Sequence, residues 1–291
     1  MARGGTRASG AHVSNWPTGL SGGATLSGVD TATSLPVVSF TSGINGAAAV
    51  WQEVFASVPF DADAITLRIM HLDTGYAVFD IGVGAAGSEI PVVENLLYAS
   101  RQNRYVEFYL PLSITKGSRL CIAGTSANAT AGTVSAQVLL HHRTGLLPRG
   151  AERIETINAS RSTGRVLTIF QGPTTTLNTL GAWAELTPSM PRATRFVLAV
   201  LSIATTTTSN ATITGALIDF AIGAPGSEQM LLSQVLAQFV RGNNTILNNF
   251  GPQYRIQIPL VVPQGARLSV RGQTTTIGAT SRTMGVALYV A

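Results

Sequence analysis

The segment Asp80-Ile-Gly-Val-Gly-Ala-Ala-Gly-Ser-Glu89 returns 139 residues later as Asp219-Phe-Ala-Ile-Gly-Ala-Pro-Gly-Ser-Glu228. A chain that repeats itself in this way folds as copies of one unit, so the repeat constrains the architecture before any single element is assigned. The match extends in both directions. Upstream, Trp51-Gln-Glu53 recurs as Trp183-Ala-Glu185 and Pro59 as Pro191, both 132 residues on. Downstream, Pro111-Leu112 recurs as Pro259-Leu260 and Gly117-Ser-Arg119-Leu120 as Gly265-Ala-Arg267-Leu268, both 148 residues on. Offsets that grow along a kept order mean loop insertions in the second copy, including one around residues 239–252.

The matched segments also share the direction in which their side chains face. Val106, Phe108 and Leu110 alternate with Tyr105, Glu107 and Tyr109, and Tyr254, Ile256 and Ile258 alternate with Gln253, Arg255 and Gln257. Alternation with period two predicts strands with one face on a core. The last strand of each copy aligns as well, Gln137–Leu140 with Gly285–Leu288. For the first copy the pattern predicts strands near 36–41, 51–58, 64–71, 76–83, 92–99, 104–110, 118–124 and 134–141, with the same series following from 165 to 290. Helix is nearly absent from this reading, although residues 228–240 fit one or two helical turns. The predicted fold is all-β: two tandem antiparallel β-sandwich, jelly-roll-like domains with an N-terminal extended arm. The boundaries expected are an arm over 1–30, a first sandwich over 31–142, a linker over 143–152 and a second sandwich over 153–291. Pro148 and Gly150 stop strand continuation in the linker.

Composition narrows the class further. Hydrophobic residues make up 45% of the 291 and charged residues only 11%, against about 25% charged in ordinary soluble domains. Broad weakly charged sheet faces suit packing against other subunits. The 30 glycines supply turns. The net charge of +5 comes almost wholly from scattered arginines, Lys116 being the single lysine. Scattered arginines that pair locally or lie at subunit contacts fit better than a phosphate-tracking patch, so nucleic acid is not an expected partner. Cys121 is the one cysteine, which excludes an intrachain disulfide, and its apolar neighbours make it a small core residue. The N-terminus has arginines but no apolar stretch behind them, which argues against a secretory signal. The most apolar run, 196–204, has strand length and falls short of a membrane span.

Each motif with chemical potential has a structural reading beside it. Gly82-x-Gly84-x-x-Gly87 matches a dinucleotide fingerprint, but Pro91 stands where the required helix would begin, and the second copy has Ala221 and Pro225 there. A glycine-shaped strand connection is the better account. Asp80 and Glu89, with Asp219 and Glu228, invite a glycosidase or calcium site, yet no further acid accompanies them. Carboxylates bonded to backbone donors of the glycine turn are expected instead. His141 and His142 are adjacent on a strand, so they point to opposite faces and do not share a metal ion. His12 and His71 lack partners at ligand spacing. Trp51 and Trp183, at equivalent places, are expected as core anchors and Trp16 as a docking residue of the arm. No catalytic, cofactor-binding or metal-ligating residue is therefore assigned, and no cofactor is expected.

The run Ala77-Val-Phe-Asp80 through Glu89, preceded by Trp51-Gln-Glu53 and followed by Leu110-Pro-Leu112 and Gly117-Ser-Arg119-Leu120, resembles modules of virion structural proteins of tailed phages and gene transfer agents. The resemblance covers residues 31–291, not the arm. It implies a head spike, head fibre, decoration or tail fibre protein of the virion, assembled in the bacterial cytoplasm, with no catalytic residues to carry over. The partners implied are further copies of the chain, as a trimer or pentamer, and capsid or tail proteins bound through residues 1–30. A carbohydrate-binding adhesin that recognises host surface polysaccharide is the alternative, and a polysaccharide-degrading enzyme a third reading.

Overall fold

The computed structural model describes residues 24–26, 29–33, 38–41, 50–71, 75–100, 106–126, 133–143, 150–157, 168–171, 179–194, 197–204, 215–238, 250–258, 261–274 and 283–291. Trp16, His12, most of the expected linker and the inserted loop at 239–249 lie outside these residues. The first module contains β1 (Ala24–Leu26), β2 (Val29–Thr33), β3 (Val38–Thr41), β4 (Gln52–Phe55), β5 (Ala64–His71), β6 (Gly75–Val83), β7 (Ile90–Ser100), β8 (Val106–Leu110), β9 (Leu120–Ser126) and β10 (Thr133–Arg143). The second contains β11 (Glu155–Ile157), β12 (Thr168–Gln171), β13 (Ala184–Thr187), β14 (Val197–Ala204), β15 (Gly215–Ile222), β16 (Gln229–Gln238), β17 (Phe250–Ile258), β18 (Leu268–Thr274) and β19 (Thr283–Val290).

Strand pairing repeats as the sequence does. In the first module one sheet runs β1-β2-β10-β5-β8, with β3 also on β10, and the other runs β4-β9-β6-β7. In the second, β11-β19-β14-β17, with β12 on β19, faces β13-β18-β15-β16. All the strand pairs are antiparallel, and each copy has the same strand order apart from β1. Even isolated bridges are duplicated: Ala62 with Ile114, and Thr194 with Val262. The alternation read in 106–110 reappears as burial of Val106, Phe108 and Leu110. These meet Ile65, Leu67, Phe79, Ile81, Leu120 and Ile122 in one core. Ile218, Phe220, Val270, Val286 and Leu288 form the equivalent core of the second module. No helix among the described residues is long and apolar enough to cross a membrane.

Two expectations change. Within the segment predicted to turn helically, 228–240, Gln229–Gln238 is strand β16, because its residues pair with β15 and its alternation is reset by a bulge at Gln234. The predicted arm is shorter than 1–30: β1 and β2 form a hairpin whose second strand pairs with residues 139–143 of β10. Residues 24–26 and 29–33 thus take part in a sheet of the first module.

The joint between modules is where the fold becomes one body. Tyr289 on β19 points away from its own module and is fully buried in the core of the first. Its hydroxyl donates to the Asn95 carbonyl at 2.9 Å and accepts the Leu97 amide at 2.7 Å, two backbone groups on the edge strand β7. Burial pushes its phenol well above the ordinary tyrosine range, so it stays a neutral donor. Beside it the Ile154 amide bonds the Val92 carbonyl at 2.9 Å, and the Thr156 hydroxyl donates to the Glu94 carbonyl. The end of the expected linker is stitched down too. Ala151 exchanges backbone bonds of 2.8 Å with Pro111 and Ser113. Gly150 is required there, since a methyl group at that position would fall 2.2 Å from the Asp63 carbonyl oxygen.

Tyr289→Phe should strand a buried amide and a buried carbonyl at a cost of about 1–3 kcal/mol. Urea denaturation followed by fluorescence should show that loss. Gly150→Ala should separate the unfolding of the modules into two steps where the parent shows one.

Candidate functional site

The residues singled out by the repeat converge at one end of each sandwich, around the glycine connection between the second and third strands of the smaller sheet. The turn between β6 and β7 needs positive φ at Gly84 (121°) and Gly87 (80°), and its counterpart needs the same at Gly223 (114°) and Gly226 (82°). This is a hairpin turn, not a nucleotide loop, as Pro91 and Pro225 implied.

An arginine closes each turn. Arg119, immediately before β9, binds Glu53 through Nε at 2.7 Å and Glu89 through Nη1 at 2.8 Å, and reaches the Gly84 carbonyl at 3.3 Å. Arg267 repeats the set with Glu185 at 2.7 Å, Glu228 at 3.4 Å and the Gly223 carbonyl at 3.0 Å. The forked guanidinium joins two strands and a turn in a way that a lysine cannot. Its bond to Arg119 holds the Glu89 carboxyl below the usual range, and the same contacts raise the arginine. The repeated Trp-x-Glu, Gly-Ser-Glu and Gly-x-Arg-Leu segments are therefore three parts of one clamp. Sequence reading picked out all of the segments without pairing them, because their distance along the chain hides the contact.

Asp80 and Asp219 do different work from that expected. Asp80 Oδ1 accepts the Asn95 amide and Asp219 Oδ1 the Gln234 amide, each at 2.8 Å. Asn95 and Gln234 both sit at φ 55°, on β7 and β16, in the left-handed region that non-glycine residues seldom adopt. The two buried aspartates thus hold a bulge in the neighbouring strand. Glu228 bonds its turn as expected, accepting the Gly226 amide at 2.9 Å, and the Glu89 carboxylate likewise accepts the backbone amide of Gly87 in the equivalent turn.

The tryptophans are not core anchors. Trp51 is half-buried on the outer face of its sheet, with its ring so close over Gly82 that a methyl group there would come within 2.8 Å of it. At the second site Ala221 replaces that glycine, and Trp183 instead stacks on Arg271, whose guanidinium carbon lies 4.3 Å from the ring centroid. Arg271 in turn pairs with Asp219 at 2.9 Å. Position 271 corresponds to Ala123, so the glycine-to-alanine and alanine-to-arginine changes belong together. Cys121, between Glu53 and Gly82 in register, is wholly buried and free. Burial raises its thiol.

The histidines take separate partners. His141 bonds the Thr66 hydroxyl at 2.8 Å, while His142 Nδ1 meets the Asp61 carbonyl at 2.6 Å and stacks near Phe60. Among the described residues no three His, Cys, Asp or Glu side chains gather as a metal site. The arginines pair locally: Arg68 with Glu107, Arg153 with Glu94 and Glu155, and Arg192 with Glu155.

No family model matches the chain, and no curated protein sequence matches it. Among solved structures it is similar to PNGF-II, at 8% identity and TM-score 0.36, over 89% of this chain and 65% of that one, so it spans about two thirds of that protein. It is also similar to the CBM22-1-CBM22-2 tandem domain of Paenibacillus barcinonensis Xyn10C, at 12% identity and TM-score 0.26, over 93% and 94%. A third likeness is to the VP2 subviral particle of infectious bursal disease virus, at 12% identity and TM-score 0.24, over 90% and 71%. At TM-scores this low none of them bears on what the chain does.

Because the folded Glu89 carboxyl titrates below its unfolded value of 4.5, its contribution to stability is complete above that value and is lost as pH falls through the folded one. Glu89→Gln should be less stable than the parent at neutral pH, and the difference should shrink in acid. Denaturant unfolding across a pH series measures both.

Proposed function

We propose that this chain is a structural component of a phage or gene-transfer-agent particle, displayed as an oligomeric spike, fibre or decoration through its N-terminal segment, and that it carries out no catalysis. The observation that supports this reading is the use made of the repeated ionisable groups. Glu53, Glu89 and Arg119, like Glu185, Glu228 and Arg267, hold strands and turn together, and Asp80 and Asp219 hold bulges. An acid with its lone pairs committed to a backbone amide or a guanidinium is a poor proton-transfer group. The modules present wide, weakly charged sheet surfaces on a rigid two-module body, which suits display and assembly.

A second reading, a glycan-binding adhesin, is favoured by one feature: Trp51 and Trp183 lie half-exposed on outer sheet faces instead of in the cores. An aromatic plane of this kind stacks on sugar rings.

Particles purified from the producing cells should contain the chain at a fixed copy number by quantitative mass spectrometry, and residues 24–291 alone, which keep β1 and β2, should fail to join them. Absence from the particles sinks the first reading. Glycan-array binding lost in Trp51→Ala and Trp183→Ala variants would support the second.

A further inference from the structure

The joint between the modules has two halves, and the repeat places a second copy of each half elsewhere on the molecule. On the receiving side, β7 is an edge strand whose bulge turns the Asn95 carbonyl and Leu97 amide outward, where Tyr289 binds them. Leu97 is 2% exposed and Val93 wholly buried. Its counterpart β16 is the edge of the other small sheet, with the same positive-φ bulge at Gln234 held by the equivalent aspartate. There Leu236, which corresponds to Leu97, is 46% exposed, Met230 is 47% exposed, and Ser233 and Gln234 are exposed as well.

On the inserting side, Ala287 and Tyr289 project from β19 and are buried in the first module's core. Their counterparts on β10, Leu139 and His141, alternate with the core residues Val138 and Leu140 and are half-buried, His141 bonding Thr66 and lying against Tyr109 on that face. An exposed apolar edge with unpaired backbone groups is a site for another chain.

We propose that copies of this chain join head to tail, the β16 edge of one against the Leu139–His141 face of the next, repeating between molecules the joint that links the modules within one. The contact is heterologous, so successive copies close into a ring or run on as a row by the same operation. The strand beside β10, β2, has its counterpart in β11 beside β19, and only β1 has none. The intermolecular joint therefore rests on the outward face of β10 with β2 alongside, where Val29 stands at the position that Ile154 holds in the joint within the chain. This inference concerns how copies meet and stands whether or not the chain belongs to a particle.

Sedimentation of the full chain tests it. The parent should be an oligomer, and Leu236→Asp and Leu139→Asp should each be monomeric with an unchanged far-ultraviolet circular dichroism spectrum. Met230→Asp serves where Leu236→Asp does not fold. Val261→Asp, an exposed apolar position on a different connection, should leave the oligomer intact. Mixing the Leu236→Asp and Leu139→Asp chains should give a one-to-one dimer, because each keeps one good half. A monomeric parent, an oligomer that survives Leu236→Asp, or a mixture that stays monomeric overturns the proposal. Loss of particle incorporation alone would leave it standing.

Discussion

A carboxylate in the middle of one strand holding the amide of a left-handed residue on the next is the interaction on which the arrangement of this molecule depends. A non-glycine residue at φ 55° costs on the order of 1 kcal/mol or more, and a charge-assisted bond from a buried aspartate offsets it. The effect reaches beyond the strand. The bulge at Asn95 changes which backbone groups of β7 face outward, and those are the groups that Tyr289 meets. Without Asp80 the receiving edge would be a plain strand with a different set of donors and acceptors, and the two sandwiches would have no fitted joint. The same device in the second module maintains a shaped edge at β16.

The clamp formed by Arg119 works at the opposite end of that strand pair. It ties the first strand of the small sheet to the glycine turn through two carboxylates and a carbonyl, so turn and bulge are fixed from both ends of β6. With only 11% of residues charged, a large share of the described ion pairs lies in these repeated arrangements and at the module joint. The low charge density of the chain and its internal order are thus linked. Charge is concentrated where it organises backbone, with Arg68 and Glu107 as a further pair across β5 and β8.

Much of this was legible in the sequence, and the failures have specific causes. Strand positions followed from alternation, and the duplication showed that both halves share one topology. Pairing within the clamp was not legible, because Glu53, Glu89 and Arg119 meet only when strands distant in sequence become neighbours. Residues 229–238 looked helical because the bulge at Gln234 inserts one residue and breaks the period of two; the same irregularity is present at Asn95, where β-branched neighbours masked it. Trp51 was misassigned since a large apolar residue in a strand ordinarily faces inward. Gly82 makes room for it on the other side of the sheet, and only the three-dimensional pairing of those positions reveals that. The roles of Asp80 and Asp219 were mistaken for a related reason: the nearest backbone donors in sequence are those of the turn, but the nearest in space belong to the adjacent strand.

The free thiol at Cys121 gives the molecule a built-in chronometer. It is the chain's sole sulfhydryl, it is sealed within the sheet of the first sandwich, and its surroundings keep it protonated. Reagents that modify thiolates can reach it only in moments when that sandwich breathes open. The rate of alkylation therefore clocks the opening of one half of the chain while the other half, with Ser269 at the matching place, remains silent.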